Sequence, residues 1–362
     1  MSVSTTIEEF DVELAQRHMR GAWTYENPAD AVVGKVTLGV PAIWRWKEVH
    51  DKLLEACEIF PDVLTARRGI EFINPALEEG STHTLLMGLQ MLKPGEVAWA
   101  HRHTFSAIRF AVEGGPGLAT VTDGEVCTME DYDLVLTPRW CWHDHHNSTQ
   151  DHVTWFDALD IGLINLLNVN VYEPYGDERQ PQRQNPADYV SHRTGLLRPV
   201  WEERPQLRLP MRYPWRDAEA KLMEMAGADG SPYDGVVLEY VNPMTGGSAL
   251  QTIACWLQRL APGQETKAHR HSSSSTSFVV RGQGRAIVDG TELSWSRHDA
   301  FAIPNWAWHH FINDSRDEDA VIFSVNDIPA LQALGLYYED PECSLHRSPW
   351  PIVPGELARQ QR

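Results

Sequence analysis

One tripeptide, His-Arg-His, occurs twice in this chain of 362 residues, at positions 101–103 and again at positions 269–271. Each copy lies seven residues after the proline of a Pro-Gly turn. Each is followed some 40 positions later by a Pro-x4-His-x3-Asn pattern, which places His143 in the first half and His309 in the second. Such self-similarity predicts an internal duplication. The chain must therefore build one structural unit twice.

Both halves have the pattern of a β protein. In the first half, short apolar or alternating segments at residues 106–112, 118–121, 134–138 and 153–159 are separated by Gly, Pro and Asp. Regularly spaced short strands are typical of an all-β sandwich or barrel. A second region, from about residue 236 to 325, matches the first segment by segment. We therefore predict a mainly β fold of two barrels.

Helices and connections are predicted outside the two β regions. Apolar residues recur at helical spacing in residues 7–20 and 44–60, which predicts a mainly helical N-terminal arm, and residues 218–226 are typical of a short helix. Residues 173–214, rich in Pro, Arg, Gln and Asp, are predicted to form a long connection across the surface or a partner subunit. The predicted domains are 1–80 (helical arm), 81–176 (first barrel), 177–235 (linker with the short helix), 236–345 (second barrel) and 346–362 (tail).

Composition restricts the partners. The chain has 31 Lys and Arg against 50 Asp and Glu, a net charge of −19, which disfavours nucleic acid because a phosphate backbone requires a basic face. No apolar run reaches the roughly 18 residues of a membrane span, and the N-terminus is unlike a signal peptide, so we expect a cytoplasmic protein without a membrane partner. An odd number of cysteines without a CxxC pair predicts reduced thiols. They are Cys57, Cys127, Cys141, Cys255 and Cys343.

The histidine spacing predicts a metal centre. Residues i and i+2 of a strand point to the same face, so His101 and His103 project together. Imidazole is a common ligand for Fe, Zn, Cu and Mn, and His143 from a distant strand would complete a triad. A possible second triad consists of His269, His271 and His309. The sequence leaves open whether this second triad binds a metal.

The Pro-Gly turn, His-x-His, a glycine eleven residues on and Pro-x4-His-x3-Asn together resemble the cupin superfamily, whose members are double-stranded β-helices of the jelly-roll kind. Cupins usually have a glutamate ligand four residues after the second histidine. That position is Ala107 in the first half and Ser275 in the second. Three neutral ligands leave a divalent ion its full charge, which suits a substrate that brings negative oxygens.

Further motifs resemble the gentisate 1,2-dioxygenase family and its salicylate-cleaving relatives. They are residues 90–96, 101–104, 106–110, 142–145 and 157–160, with 67–68, 74–75, 238–243 and 323–327. The resemblance implies a bicupin homotetramer with one catalytic Fe(II) in the N-terminal cupin. It implies an enzyme that uses O2 to open an ortho-hydroxy aromatic carboxylate between C1, which bears the carboxyl group, and C2, which bears the hydroxyl group.

The resemblance also implies roles for single residues. The iron ligands would be His101, His103 and His143. Arg109 is expected to bind the substrate carboxylate, because an arginine inside a barrel needs an anion; the alternative is an ion pair with a structural carboxylate. His145 is expected to contact substrate or transfer protons, with a solvated loop histidine as the alternative. Asp157 is expected to orient the substrate or a ligand.

Five further residues are predicted substrate contacts. Gln90 would hydrogen-bond a bound oxygen. Arg67 and Arg68 would reach the pocket from the arm, unless one of them forms a surface salt bridge. Gly88 would leave space beside Gln90. Phe105 stands where a polar residue is common in gentisate enzymes, and so makes the pocket more apolar.

The two halves differ where the substrate would bind. The equivalents of Arg109 and Asp157 in the second half are Ser277 and Ser324. This asymmetry predicts that the chemistry takes place in the first barrel. Gentisate, which would give maleylpyruvate, is the expected substrate; salicylate, 5-amino- or 5-halo-salicylate and 1-hydroxy-2-naphthoate are alternatives. A bicupin oxalate decarboxylase would keep the glutamate ligand, and a non-catalytic storage bicupin would not need these groups around one triad.

Overall fold

The computed structural model describes residues 6–21, 23, 39–60, 68–183 and 212–341. Residues 6–21 and 23 belong to one compact unit, and the described residues from position 39 onward form another, which contains both barrels. In the first unit, helix α1 spans Ile7–Gln16 and begins with a capping box between Thr6 and Glu9. This confirms a helix within residues 7–20. Among the described helices, none is long and apolar enough to cross a membrane.

The first barrel consists of two antiparallel sheets. It is preceded along the chain by strand β1 (Ala42–Trp44) and helix α2 (Trp46–Ile59). Its strands are β2 (Arg68–Glu71), β3 (Leu86–Leu92), β4 (Val97–His103), β5 (Ala107–Glu113), β6 (Gly115–Thr122), β7 (Glu125–Met129), β8 (Leu134–Thr137), β9 (His143–Asn147), β10 (Val153–Leu159), β11 (Tyr172–Pro174) and β12 (Arg212–Tyr213). The strand orders are β12-β8-β5-β10-β3-β2 and β11-β4-β9-β6-β7. Helix α3 (Ile161–Leu166) follows β10.

The second barrel repeats this plan after helix α4 (Trp215–Glu224). Its strands are β13 (Val236–Glu239), β14 (Ala254–Leu260), β15 (His269–His271), β16 (Ser275–Arg281), β17 (Gln283–Val288), β18 (Thr291–Ser296), β19 (Ala300–Ile303), β20 (His309–Asn313), β21 (Ala320–Asn326) and β22 (Glu339–Pro341). The strand orders are β1-β19-β16-β21-β14-β13 and β18-β17-β20-β15-β22. Helix α5 (Ile328–Ala333) follows β21, as α3 follows β10. The predicted duplication of a β barrel is confirmed.

Segments from outside the two β regions complete the sheets. Strand β1 pairs with β19 of the second barrel, with Ala42 opposite Ala302, and β2 pairs with β3 of the first. Strand β12 adds to β8 of the first barrel. The arm predicted to be mainly helical therefore also contributes two strands. Helical periodicity in the arm could not indicate them, because both are short and pair only with distant residues.

The two barrels share an apolar core across their facing sheets. Phe110 and Phe156 of the first barrel belong to the same buried cluster as Phe278 and Phe323 of the second. The rings of Phe110 and Phe323 are stacked with centroids 4.1 Å apart. Because such buried aromatic contacts exclude water and resist sliding, the shared core holds the first barrel's sheet in place.

Reciprocal buried carboxylates also join the barrels. Thr252 of the second barrel donates a 2.5 Å hydrogen bond to Asp160, and Thr84 of the first donates a 2.6 Å bond to Asp327. Asp160 also accepts from the backbone N–H of Ser106 at 2.6 Å. Each carboxylate therefore connects a loop of one barrel to the other.

Asp160→Ala is expected to lower the free energy of unfolding by about 2–4 kcal/mol, because it leaves the buried N–H of Ser106 and the half-buried hydroxyl of Thr252 without their acceptor. Chemical denaturation followed by tryptophan fluorescence measures the loss. The control is Asp229→Ala at an exposed position, where we expect a change within about 0.5 kcal/mol. Equal stabilities of the two variants would contradict this account.

Candidate metal centre and active-site cavity

Strands β4 and β9 bring three histidines together inside the first barrel. His101 and His103 lie on one face of β4, and His143 begins β9 directly opposite His101 in the sheet register. All three side chains are buried, and their candidate ligand atoms lie within 4.8 Å of one another. The structure therefore assembles the first predicted triad.

Each of these rings places Nδ1 against a backbone carbonyl oxygen two residues away. The distances are 2.7 Å from His101 to Trp99, 2.7 Å from His103 to Phe105 and 3.0 Å from His143 to Cys141. Because a carbonyl oxygen can only accept, each Nδ1 holds the proton and each Nε2 offers its lone pair. The carbonyls thus select the tautomer that a metal ion needs.

His143 shows most clearly that these residues fit a metal ion. Its Nε2 is buried, and no described residue forms a hydrogen bond with it. Burial, followed by the nearby His101 and Arg109, lowers the pKa of His143 well below its usual value and so keeps the ring neutral. A buried, neutral imidazole nitrogen among two others is a donor set for a divalent transition-metal ion.

A cavity of about 420 Å³ opens beside the triad. It is lined by His101 and His103 and by six other predicted site residues, namely Gly88, Gln90, Phe105, Arg109, His145 and Asp157. A volume in this range is typical of small-molecule sites. The structure therefore places these predicted substrate contacts around one space.

Arg109 and Asp157 face each other on neighbouring strands of this cavity. They are paired in the β5–β10 register, with Arg109 Nε 3.3 Å from Asp157 Oδ1, and Arg109 Nη1 donates to Thr137 at 2.7 Å. The ion pair that the sequence left as an alternative is thus present, but its carboxylate itself lines the cavity. In the second barrel the same register pairs Ser277 with Ser324, which confirms the predicted equivalence.

His145 lies on β9, two residues after His143, and lines the cavity. It is buried, with Nδ1 2.8 Å from Thr120 Oγ1, and its ring centroid lies 5.2 Å from that of Trp155. The alternative of a solvated loop histidine is therefore wrong. Its part in the chemistry stays a prediction.

Arg68 is not among the described residues that line the cavity, which corrects its prediction as a substrate contact. Its buried side chain pairs with Glu96 at 2.5 Å and donates to the carbonyl of Phe60 at 2.6 Å. These contacts join the end of α2 to the turn before β4. The prediction for Arg67 lies outside the described residues.

Gly88 and Phe105 line the cavity, but their contacts differ from the predicted ones, in which Gly88 left space for substrate and Phe105 made the pocket more apolar. A Cβ on Gly88 would collide with the carbonyl oxygen of Ile70 on β2, so the missing side chain admits a neighbouring strand rather than substrate. This corrects the predicted reason for the glycine, although Gly88 does line the cavity. The ring of Phe105 stacks on the ligand ring of His103, with centroids 3.5 Å apart.

Sequence reasoning missed several lining residues. Tyr172 on β11 lines the cavity and stacks on His101 with ring centroids 5.3 Å apart. Further apolar lining comes from Ile70, Leu86, Met87, Leu89, Leu159 and Ile161. Leu86 could have been predicted, because every second residue of a strand points to the same face and Leu86, Gly88 and Gln90 therefore lie on one face of β3. No local signal could have indicated Tyr172, because β11 reaches the site only by pairing with β4.

The second triad is assembled in the same way but has little room beside it. His269 lies opposite His309 in the sheet register, and with His271 their ligand atoms lie within 4.8 Å of one another. The adjoining cavity measures about 30 Å³. A cavity of roughly 150 Å³ is needed to hold a benzene ring, so this barrel excludes an aromatic substrate.

Comparison with known proteins agrees with the duplicated fold and the site. A cupin domain model matches residues 88–161 and 256–326. The chain is 45% identical to 1-hydroxy-2-naphthoate 1,2-dioxygenase of Nocardioides sp. (strain KP7), over 97% of this chain and 92% of the relative. It is 38% identical to 5-aminosalicylate 1,2-dioxygenase of Comamonas sp., over 100% and 96%, and 31% identical to gentisate 1,2-dioxygenase 1 of Aquipseudomonas alcaligenes, over 93% and 97%.

Solved structures give the same result. Salicylate 1,2-dioxygenase from Pseudaminobacter salicylatoxidans superimposes with a TM-score of 0.81 at 27% identity, covering 94% of this chain and 99% of that one. Its adduct with gentisate superimposes with a TM-score of 0.80, covering 95% and 96%. This chain therefore belongs to the bicupin dioxygenase family that includes the gentisate, salicylate and 1-hydroxy-2-naphthoate 1,2-dioxygenases.

Proposed function

We propose that this protein is an iron(II)-dependent dioxygenase that opens an ortho-hydroxy aromatic carboxylate between C1 and C2 and adds both atoms of O2. The observation that supports this best is the inequality of the two halves. Among the described residues, the first triad shares a cavity of about 420 Å³ with a cation, Arg109, and a further histidine, His145, whereas the second triad has Ser277 where Arg109 would be. A storage protein would not require that combination beside one triad alone.

The triad would hold the iron through the three Nε2 atoms of His101, His103 and His143. A ferrous ion there would supply the redox chemistry and open coordination positions for substrate oxygens and O2. The residues of the chain would supply orientation, charge and proton transfer.

Arg109 would bind the substrate carboxylate from the wall of the cavity. Its guanidinium lines the cavity, and a planar fork of N–H donors matches the geometry of a carboxylate. Trp155 donates to Asp157 Oδ1 at 3.0 Å and so holds the carboxylate that orients Arg109. The pair thereby aims one cation at the carboxyl-bearing side of the ring.

His145 would accept the proton of the substrate hydroxyl. Thr120 Oγ1 lies 2.8 Å from His145 Nδ1 and 3.1 Å from Met129 Sδ, an arrangement in which the hydroxyl can donate to the sulfur and accept from Nδ1. A neutral ring with its proton on Nδ1 has Nε2 as the basic nitrogen. These contacts support His145 as the proton acceptor that would give the substrate its second negative oxygen.

His145→Gln is expected to lower kcat by about 10²–10⁴ while iron content and the KM for substrate change little, because general-base groups contribute that much to a reaction step. Steady-state O2 consumption and iron analysis measure both quantities. His152→Gln is the matched control outside the cavity lining. An unchanged kcat in His145→Gln would remove this residue from the mechanism.

The apolar lining favours a bicyclic substrate, 1-hydroxy-2-naphthoate. Beyond the reacting groups, its second ring has no polar atom to satisfy and suits lining side chains such as Met87, Leu159 and Ile161, whereas the extra hydroxyl of gentisate would need a polar lining residue such as Gln90. The relative that is 45% identical is named for the same substrate. Gentisate, the substrate first expected, is the second candidate, since relatives at 31% identity are named for it.

The test is O2 consumption by the protein after anaerobic loading with Fe(II). We expect one O2 per substrate molecule and the highest kcat/KM for 1-hydroxy-2-naphthoate, with gentisate and salicylate slower. A higher kcat/KM for gentisate would reverse the order of the two substrates. No uptake with any ortho-hydroxy aromatic acid would show a binding protein instead.

We also propose a homotetramer, as the family resemblance implies. Exposed apolar side chains at and just beyond the end of α3, which include Leu166, Leu167 and Val169, support a contact between subunits. Light scattering on the purified protein tests the mass. The cytoplasmic location stays a prediction from the sequence.

A further inference from the structure

We infer a second metal site in the C-terminal barrel, where His269, His271 and His309 hold a divalent transition-metal ion that stabilises the barrel and never meets the aromatic substrate. This inference is independent of the proposed ring cleavage. It rests on the hydrogen bonds, spacing and charges around these three buried rings.

The outer nitrogens of the three rings face groups that accept hydrogen bonds. Nδ1 lies 3.2 Å from Glu339 Oε1 in His269, 2.8 Å from the Ser273 carbonyl in His271 and 2.9 Å from the Ala307 carbonyl in His309. Each Nδ1 therefore donates, and each neutral ring keeps a lone pair on Nε2. The three lone pairs belong to ligand atoms within 4.8 Å of one another.

The spacing of two of these nitrogens matches neighbouring ligands of one ion. Nε2 of His269 and Nε2 of His309 are 2.9 Å apart in a buried site. Two neighbouring ligands of an octahedral ion, each about 2.1 Å from it and at a right angle, lie about 3.0 Å apart. Two facing lone pairs repel unless a positive centre lies between them. A shared proton would balance the lone pairs of His269 and His309 only, whereas a metal ion would also bind the lone pair of His271.

Carboxylates beside the triad balance the charge of such an ion. Asp234 Oδ1 lies 3.6 Å from His269 Nε2, and Glu339 accepts from the other nitrogen of the same ring. The second contact forms the carboxylate–histidine–metal arrangement that fixes a ligand ring and raises its basicity. In the first barrel all three ligand rings face neutral carbonyl oxygens instead. The charge of an ion bound there would therefore be balanced by an anionic substrate.

The second site is closed. Its cavity of about 30 Å³ has room for a water-sized group, and the serine pair Ser277–Ser324 replaces the arginine that would bind a carboxylate. The ion would join β15, β20 and, through Glu339, β22 near the end of the described chain. With no space for an aromatic ligand, such an ion would stabilise the barrel instead of binding substrate.

Co²⁺ titration of the metal-free full-length protein tests this inference by visible absorption and by metal analysis after gel filtration. We expect two equivalents per chain in the wild type and one in His143→Ala, whose remaining ion raises the Tm. His309→Ala should lose the second equivalent and keep the first. His310→Ala, on the neighbouring position of β20, is the matched control and should bind two.

Glu339→Gln provides a second variant in case His309→Ala does not fold. It keeps the ring contact but removes the charge, and we expect Co²⁺ affinity at the second site to fall about 10–100-fold with the first site unchanged. One equivalent in the wild type, with no change in His309→Ala or Glu339→Gln, would overturn the inference and leave a proton between His269 and His309.

Discussion

His143→Ala is expected to abolish ring cleavage and to remove the metal from the first triad. Two imidazoles of one strand, His101 and His103, would remain, and position 107, where cupins usually have a glutamate ligand, is an alanine. Because the ion supplies the redox chemistry, activity should fall to background rather than by a modest factor. Since the site lies in a packed barrel, the fold itself should persist.

Iron content and O2 consumption after anaerobic Fe(II) loading measure the two losses together, and circular dichroism checks the fold. His152→Ala, a histidine outside the cavity lining, is the control and should keep both iron and activity. If His143→Ala retained ring cleavage at wild-type rates, the first triad could not be the catalytic centre.

Arg109→Ala is expected to lower kcat/KM by about 10²–10³ while iron content stays the same. The variant removes the cation that would pair with the substrate carboxylate, and breaking such a buried contact costs about 3–4 kcal/mol, or two to three factors of ten. It also leaves Asp157 facing the cavity as an unbalanced negative charge, which repels an anionic substrate.

Two further variants show whether the loss in Arg109→Ala comes from substrate binding or from a general effect of removing an arginine. Arg109→Lys should recover part of the activity, because the charge returns without the planar pair of donors. Arg281→Ala is the matched control, since Arg281 lies on β16 and pairs with Glu219 away from the first cavity. Wild-type kcat/KM in Arg109→Ala, with iron bound, would show that Arg109 only forms an ion pair with Asp157.

The metal ligands and the fold class could be predicted because they depend on local periodicity. Residues two apart on a strand share a face whatever the rest of the chain does, so His101 and His103 had to project together. The repeat then required two copies of one β unit. Strand β10 was predicted with the bounds that the structure shows, since it is a short, largely apolar segment of the kind typical of a strand.

Other features depended on contacts between distant segments. Arg68 and Arg109 are both buried arginines on strands, yet Arg68 meets Glu96 and Phe60 whereas Arg109 lines the cavity. Nothing local distinguishes them, because the partner of a buried charge comes from another part of the chain. Tyr172 likewise enters the site through the pairing of β11 with β4.

By itself the sequence determined the duplication, the barrel fold, the two histidine triads and the loss of the Arg–Asp pair from the second half, because all of these are patterns of residue type at fixed spacing. Only the tertiary structure decided how much space adjoins each triad, about 420 Å³ against about 30 Å³. It also decided that Glu339 reaches His269. Volume and long-range charge contacts arise from packing between segments far apart in the chain, and no local pattern records them.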